Sequence, residues 1–255
     1  MNLFESIIIA IVEGLTEYLP VSSTGHMIIT EWLLKMQSSE FIKLYTVAIQ
    51  LGAILAVIVL YFKKFFQSFD FYLKLFVAFL PSAVIGFLFN DMIDELLESP
   101  LTVAIALVLG GVVLLFTDRW FAGNVEEEQP ITYTKALKIG AFQILALVPG
   151  VSRSGATIFG GLQQTLSRKQ AAEFSFFLAV PTMLAATVYK LLKYIKANGI
   201  SSEEIKHLAI GNLAAFIVAV IAIKAFIGFL NRHGFKPFGW YRIVVGLLIL
   251  AGLFI

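Results

Sequence analysis

A run of apolar residues long enough to cross a bilayer leaves the backbone one option, and this chain consists mostly of such runs. Six stretches, roughly 42–61, 72–90, 101–117, 170–189, 208–230 and 240–255, approach the length that spans a hydrocarbon core. No water is available there to satisfy N–H and C=O groups, so each stretch has to be a helix. The composition agrees: 59% hydrophobic and 14% charged, with a mean hydropathy of +0.88, where a soluble domain carries about a quarter charged residues. No polar segment is long enough for a soluble domain. The expectation is an all-α polytopic membrane protein, a single integral membrane domain over residues 1–255 with the lipid bilayer as its surroundings. The chain has no cysteine, which excludes disulfides, thiolate metal sites and cysteine nucleophiles. It has no basic stripe either, so a nucleic-acid partner is not expected. The first apolar run begins at Leu3 without a basic flank or a small-residue cleavage site, so no cleavable signal is expected.

Two further apolar regions, 3–35 and 133–167, are each broken by a polar island. The first island reads Glu13-Gly-Leu-Thr-Glu17-Tyr-Leu-Pro20-Val-Ser22-Ser23-Thr24-Gly25-His26. The second reads Pro149-Gly150-Val151-Ser152-Arg153-Ser154-Gly155-Ala156-Thr157. Ionisable groups at membrane depth are costly and mark functional sites by default. Irregular backbone is tolerated there only where protein or a water-filled cavity covers it. Each region therefore reads as a re-entrant helical hairpin, and the two islands as two halves of one site.

The order of elements repeats. Glu13 placed on Gln143 brings Leu15 onto Leu145, Val21 onto Val151, Ser22 onto Ser152 and Gly25 onto Gly155. Each half then runs as a broken hairpin followed by three spans, with pseudo-repeats at about 1–121 and 131–255 and a linker at 122–130. An odd number of spans per half puts the second half upside down, giving six transmembrane helices plus two hairpins in an inverted-topology repeat. Lys63, Lys64, Lys74, Arg119, Lys135, Lys138, Arg168, Lys169, Arg232, Lys236 and Arg242 then fall on one side, the cytoplasmic one. The acidic loop Asn90–Pro100, with Asp91, Asp94, Glu95 and Glu98, falls outside. One loop dissents: residues 190–206 should be outside, yet carry Lys190, Lys193, Lys196 and Lys206. On this arrangement the first hairpin opens to the outer face.

Glu13 and Glu17 share one helix face, being four apart. Two ionised carboxylates at that spacing repel, so in a low-dielectric setting they need a shared proton, a cation or a metal ion. Oxygen ligands without cysteine suit Mg²⁺ or Ca²⁺. Pro20 ends the first helix. Ser22, Ser23 and Thr24 then offer caps for the next, whose N-terminus is an anion site. His26 follows in its first turn. In the second island Pro149-Gly150 breaks a helix, and Ser152, Arg153 and Ser154 open another. The planar guanidinium of Arg153 suits bidentate phosphate binding. Gln50 and Gln143 lie in apolar runs and either reach the site or bond a neighbouring backbone. An inverted repeat with a midplane anion site is equally the mark of a secondary transporter or lipid flippase. The carboxylate–hydroxyl–imidazole group beside a phosphate clamp is what points to an enzyme instead, because transport has no need of it.

With residues 13–26 and 149–157 both in view, the chain resembles the bacterial undecaprenyl-diphosphate phosphatase family, also called the bacitracin-resistance protein family, along its whole length. The resemblance implies an enzyme of the bacterial cytoplasmic (inner) membrane. It would hydrolyse a polyprenyl diphosphate lipid, undecaprenyl diphosphate, to undecaprenyl phosphate and inorganic phosphate, recycling the lipid carrier of wall synthesis. It implies a dependence on a divalent metal. The family's acidic motif falls on Glu13 and Glu17, its Ser-rich turn on Ser22, Ser23 and Thr24, and its histidine on His26. Its arginine motif falls on Ser152, Arg153, Ser154 and Thr157. The expected roles are Glu13 and Glu17 for the metal, Arg153 with the helix N-terminus for the diphosphate, and His26 as general base and later acid. Ser23 or a metal-bound water is the nucleophile.

Overall fold

The computed structural model describes residues 1–65, 68–97, 99–124 and 127–253, and the regular structure among them is entirely helical. Glu98 of the acidic loop, Val125 and Glu126 of the linker, and the last two residues of the sixth run lie outside the described residues.

In the first half α1 (Leu3–Thr16) and α2 (Ser23–Leu33) form the first broken hairpin. They are followed by α3 (Glu40–Ala48), α4 (Gln50–Leu60), α5 (Phe62–Phe65), α6 (Phe69–Leu88), α7 (Asn90–Leu97) and α8 (Pro100–Trp120). The second half opens with α9 (Tyr133–Gln143), a 3₁₀ turn (Ile144–Leu147) and α10 (Arg153–Gln163). It continues with α11 (Arg168–Asn198), α12 (Ser202–His233) and α13 (Lys236–Gly252). Hydroxyl and amide caps set most of the starts: Asn2, Ser22, Ser39, Ser68, Ser99, Thr132, Ser152, Ser167 and Ser201 each accept a hydrogen bond from an N–H of the first turn. Each bond satisfies a donor that the helix itself leaves orphaned, which matters most where no water reaches.

Among the described residues five helices are long and apolar enough to cross a membrane: Glu40–Leu60, taken through a turn at Ile49, Phe69–Leu88, Pro100–Trp120, Arg168–Asn198 and Ser202–His233. The sixth expected run forms α13, which has 17 residues and is shorter than the rest. The hairpin arms are shorter still. At 1.5 Å per residue α1 reaches about 21 Å and α2 about 17 Å, against roughly 30 Å of hydrocarbon, so neither crosses alone.

The structure corrects two readings of charge. Residues 190–206 are not a loop: α11 runs on to Asn198 and α12 starts at Ser202, leaving only Gly199–Ser201 between them. With 31 residues α11 is longer than a bilayer core is thick, and Lys190, Lys193 and Lys196 sit on its C-terminal turns rather than on a loop. Arg242 is no interface cation either. It lies within α13, its side chain only 1% exposed.

The halves interlock. The first arm of each hairpin packs on a span of the other half, α1 along α12 and α9 along α6, while α8 packs along α13. These contacts are backbone-close. A Cβ added at Gly140 would lie 2.0 Å from the Ala78 carbonyl oxygen, and one at Gly14 2.6 Å from that of Ala215. In lipid, where hydrophobicity does not drive helices together, such small-residue contacts supply the packing. The interlocking brings the two hairpin breaks against each other, with Leu19 of one beside Ser154 of the other.

Candidate active site

Both breaks are built alike. Ser22 and Ser152 have φ of 69° and 76°, a region that favours glycine. A serine is held there at a cost of about 1–3 kcal/mol. Glycine would fit the backbone but not cap the helix: Ser22 Oγ accepts from Gly25 N at 3.3 Å, and Ser152 Oγ from Gly155 N at 3.1 Å. The two caps aim the N-termini of α2 and α10 at a common space. Across the breaks Ser154 Oγ donates to the Leu19 carbonyl at 2.7 Å.

A cavity of about 170 Å³ opens between the breaks. Glu17, Ser22, Ser23 and Thr24 line it from the first hairpin, and Ser152 and Arg153 from the second. Gln50 at the start of α4 and Thr182 on α11 complete its polar wall. On its wall Ser23 Oγ donates to Glu17 Oε2 at 2.5 Å, and Arg153 Nη2 donates to Glu17 Oε1 at 2.9 Å. Glu17 thus takes a hydroxyl on one oxygen and a guanidinium on the other. Arg153 is fixed from behind. Its Nη1 donates to Ser175 O and Oγ at 2.8 and 3.1 Å, and its guanidinium lies 5.7 Å from the Tyr18 ring centroid.

Glu13 is fully buried beneath this pair, close enough to Glu17 and Ser23 for their charges and dipoles to act on it. Among the described residues neither of its carboxylate oxygens has a partner in hydrogen-bonding geometry. A buried carboxylate without partners is expensive, which fits a place that a proton or a cation fills. Two carboxylates and a hydroxyl are hard oxygen donors of the kind that hold Mg²⁺ or Ca²⁺. Among the described residues there is no cluster of three or more His, Cys, Asp or Glu side chains, so a metal here would draw its remaining ligands from elsewhere.

The other expected site residues stand apart from the cavity. His26 Nδ1 lies 2.7 Å from the Ser22 carbonyl oxygen and Nε2 lies 2.7 Å from the Tyr241 hydroxyl. A carbonyl only accepts, so Nδ1 carries the proton and neutral His26 accepts at Nε2 from Tyr241. Ser154, as noted, ties one break to the other. Thr157 Oγ1 lies 2.7 Å from Ser175 Oγ and 2.9 Å from the Arg153 carbonyl oxygen, bonded to both with one proton of its own, and is wholly buried. Both act as struts behind the cavity wall. Gln143 donates to Ser82 Oγ at 2.6 Å and to Thr182 Oγ1 at 3.2 Å.

Sequence reasoning passed over Tyr18, Ser175, Thr182, Tyr241 and the depth of Arg242. Tyr18 was legible, since it sits inside the acidic motif. The others belong to long apolar helices whose hydroxyls and rings look like any packing residue.

Fold and site together define a polytopic helical membrane protein with a carboxylate, a guanidinium and hydroxyls gathered around a cavity at the meeting of two broken helices. The chain belongs to the bacitracin resistance protein BacA family, whose model matches residues 6–248. It is 57% identical to the undecaprenyl-diphosphatase of Flavobacterium johnsoniae over 253 residues, covering 98% of this chain and 96% of that protein. The undecaprenyl-diphosphatase of Flavobacterium psychrophilum is 59% identical over 251 residues, covering 98% and 95%. That of Aquifex aeolicus is 43% identical over 257 residues, covering 98% of each.

Proposed function

We propose that this chain hydrolyses undecaprenyl diphosphate to undecaprenyl phosphate and inorganic phosphate, returning the lipid carrier of cell-wall synthesis to use. Relatives bearing that activity in their names match it from end to end. The observation that supports a mechanism is the Glu17 carboxylate, shared between the Ser23 hydroxyl and the Arg153 guanidinium at the cavity wall.

Arg153 and the N-termini of α2 and α10 bind the diphosphate, and Ser22, Thr24 and Ser152 border it. Ser23 Oγ attacks the terminal phosphorus, and its proton passes to Glu17 Oε2, the atom it already faces. The bond from phosphorus to the bridging oxygen breaks, and undecaprenyl phosphate leaves with that oxygen. Water then attacks the phosphoserine, Glu17 returns the proton to Ser23 Oγ, and inorganic phosphate departs. Assigning this proton to Glu17 revises the expectation for His26, which would have to leave both of its present partners to reach Ser23. Instead His26 braces the first turn of α2 against Tyr241.

Glu13 and Glu17 would hold a divalent metal. Two carboxylates suit Mg²⁺, which keeps waters and takes substrate phosphate oxygens, better than Ca²⁺, which takes about six to eight protein and water oxygens. When bound, such an ion supplies neutralisation of charge on the phosphoryl oxygens. The repeat of cap geometry supports an inverted arrangement in the bacterial inner membrane. The cavity then opens to the outer face, and the polyprenyl tail lies between helices in the lipid.

The test is inorganic phosphate release from undecaprenyl diphosphate by the purified protein in detergent. Transport requires a sealed membrane and hydrolysis does not, so absence of release would favour the transporter reading.

A further inference from the structure

Arg242 takes no part in the chemistry above, yet among the described residues it is the largest side chain that is fully buried. Among the described residues no carboxylate pairs with it. It donates instead to five main-chain carbonyls. Nη1 reaches Pro20 O at 3.0 Å and Val151 O at 2.8 Å, Nη2 reaches Gly150 O at 2.7 Å and Ala106 O at 3.0 Å, and Nε reaches Leu107 O at 3.3 Å. A guanidinium has five N–H donors, and all five are used. Two acceptors belong to α8. The other three belong to the breaks, where the chain leaves helical geometry and its carbonyls lose their intrahelical donors. At membrane depth no water replaces those donors.

Space for this arrangement is cut into α8. A Cβ at Gly110 would lie 2.2 Å from Arg242 Nη2 and 2.7 Å from its Cζ, so only glycine leaves room for the fork.

We propose that Arg242 is a positioning residue that bolts both hairpin breaks to α8 and thereby sets the register between Ser23 on one break and Arg153 on the other. The inference rests on the phosphatase reading for its kinetic consequence, but not for its structural one. One break carries the attacking hydroxyl and the other the phosphate clamp. A shift between them leaves each half able to bind while misaligning attack. A displacement of about 1 Å between reacting groups costs on the order of 100-fold in rate. Loss of Arg242 therefore acts on kcat more than on KM.

Gly110→Ala displaces the fork without removing its charge, and Gly246→Ala is its control. A Cβ at Gly246 crowds the same α8–α13 contact, lying 2.8 Å from Val108 Cγ2 and 2.9 Å from Ala104 O, but does not meet the guanidinium. Two readouts are needed. One is kcat and KM for phosphate release from undecaprenyl diphosphate in detergent. The other is the rate at which a small thiol reagent labels Val21→Cys, a site 3% exposed beside the first break in a chain that has no native cysteine. For Gly110→Ala and for Arg242→Lys, which offers three donors to five acceptors, kcat should fall by ~100-fold with KM within about threefold. In the Val21→Cys background both variants should quicken labelling by about tenfold, and Gly246→Ala should change neither readout by more than about threefold. Equal losses in Gly110→Ala and Gly246→Ala, or unchanged labelling in Gly110→Ala, overturn the proposal. If the wild type releases no phosphate, the phosphatase reading falls, and the labelling rates of Val21→Cys still decide the clamp.

Discussion

Replacing Arg153 by lysine separates geometry from charge at the centre of the site. Arg153 spans two elements, reaching Glu17 on the first hairpin at 2.9 Å and Ser175 on α11 at 2.8 and 3.1 Å. A lysine keeps the positive charge, but its ammonium is a single point that satisfies one of these neighbours and not both. The variant therefore loses at least one charge-assisted hydrogen bond, worth about 1.5–3 kcal/mol. At about 1.36 kcal/mol per factor of ten, that is a fall of roughly 10- to 150-fold in kcat/KM. The freed Glu17 oxygen, and the loss of the two-pronged phosphate contact proposed for Arg153, push toward the upper end. Initial rates of phosphate release measure the loss, with size-exclusion profile and thermal midpoint checking that the variant still folds. Turnover within about threefold of wild type would refute the bridging role, because an arginine that merely seeks the membrane interface tolerates lysine.

Glu13→Gln replaces a buried carboxyl that accepts no hydrogen bond from the described residues, so it should hold or raise the thermal midpoint while weakening the metal dependence of turnover. EDTA should abolish wild-type activity, and activity that survives chelation would remove the metal from Glu13 and Glu17. Cysteine labelling tests the topology: Gly123→Cys, where an added side chain meets nothing within 4 Å among the described residues, should react with an impermeant reagent only after cells are permeabilised. Ser201→Cys should react in intact cells, and labelling of both on one side would end the inverted arrangement. Tyr241→Phe removes the hydroxyl on His26 Nε2 and should cost less than about tenfold in kcat, the scale of one neutral hydrogen bond. A far larger loss would return His26 to the proton path.

Hydropathy and two polar islands carry the helical fold and the location of the site, because lipid allows few solutions for an apolar run and none for a stray charge. Pro20 and Pro149-Gly150 mark the breaks, and Ser22 and Ser152 sit where caps are needed. The partition of hydroxyls was not legible. Ser23 and Thr24 face the cavity while Ser154 and Thr157 face the protein, and only the approach of Leu19 and Ser175 decides which is which. Arg242 misled because loop charge is counted by sequence distance. It lies six residues inside α13, about 9 Å along the axis, and that is deep enough to meet both breaks. Lys190, Lys193 and Lys196 misled in the opposite sense, since hydropathy marks where the membrane ends and not where the helix does.

The proposed mechanism makes Ser23 the attacking group, on the ground that its hydroxyl bonds the Glu17 carboxylate that Arg153 also holds. The most direct measurement is rapid-quench mass spectrometry of the protein during turnover of undecaprenyl diphosphate, set beside steady-state phosphate release by Ser23→Ala. Phosphate is expected on the peptide that contains Ser23, with a Ser23→Ala rate lower by at least ~1,000-fold, as loss of a covalent nucleophile entails. No phosphopeptide together with a loss of less than about tenfold would contradict this role and pass the attack to water.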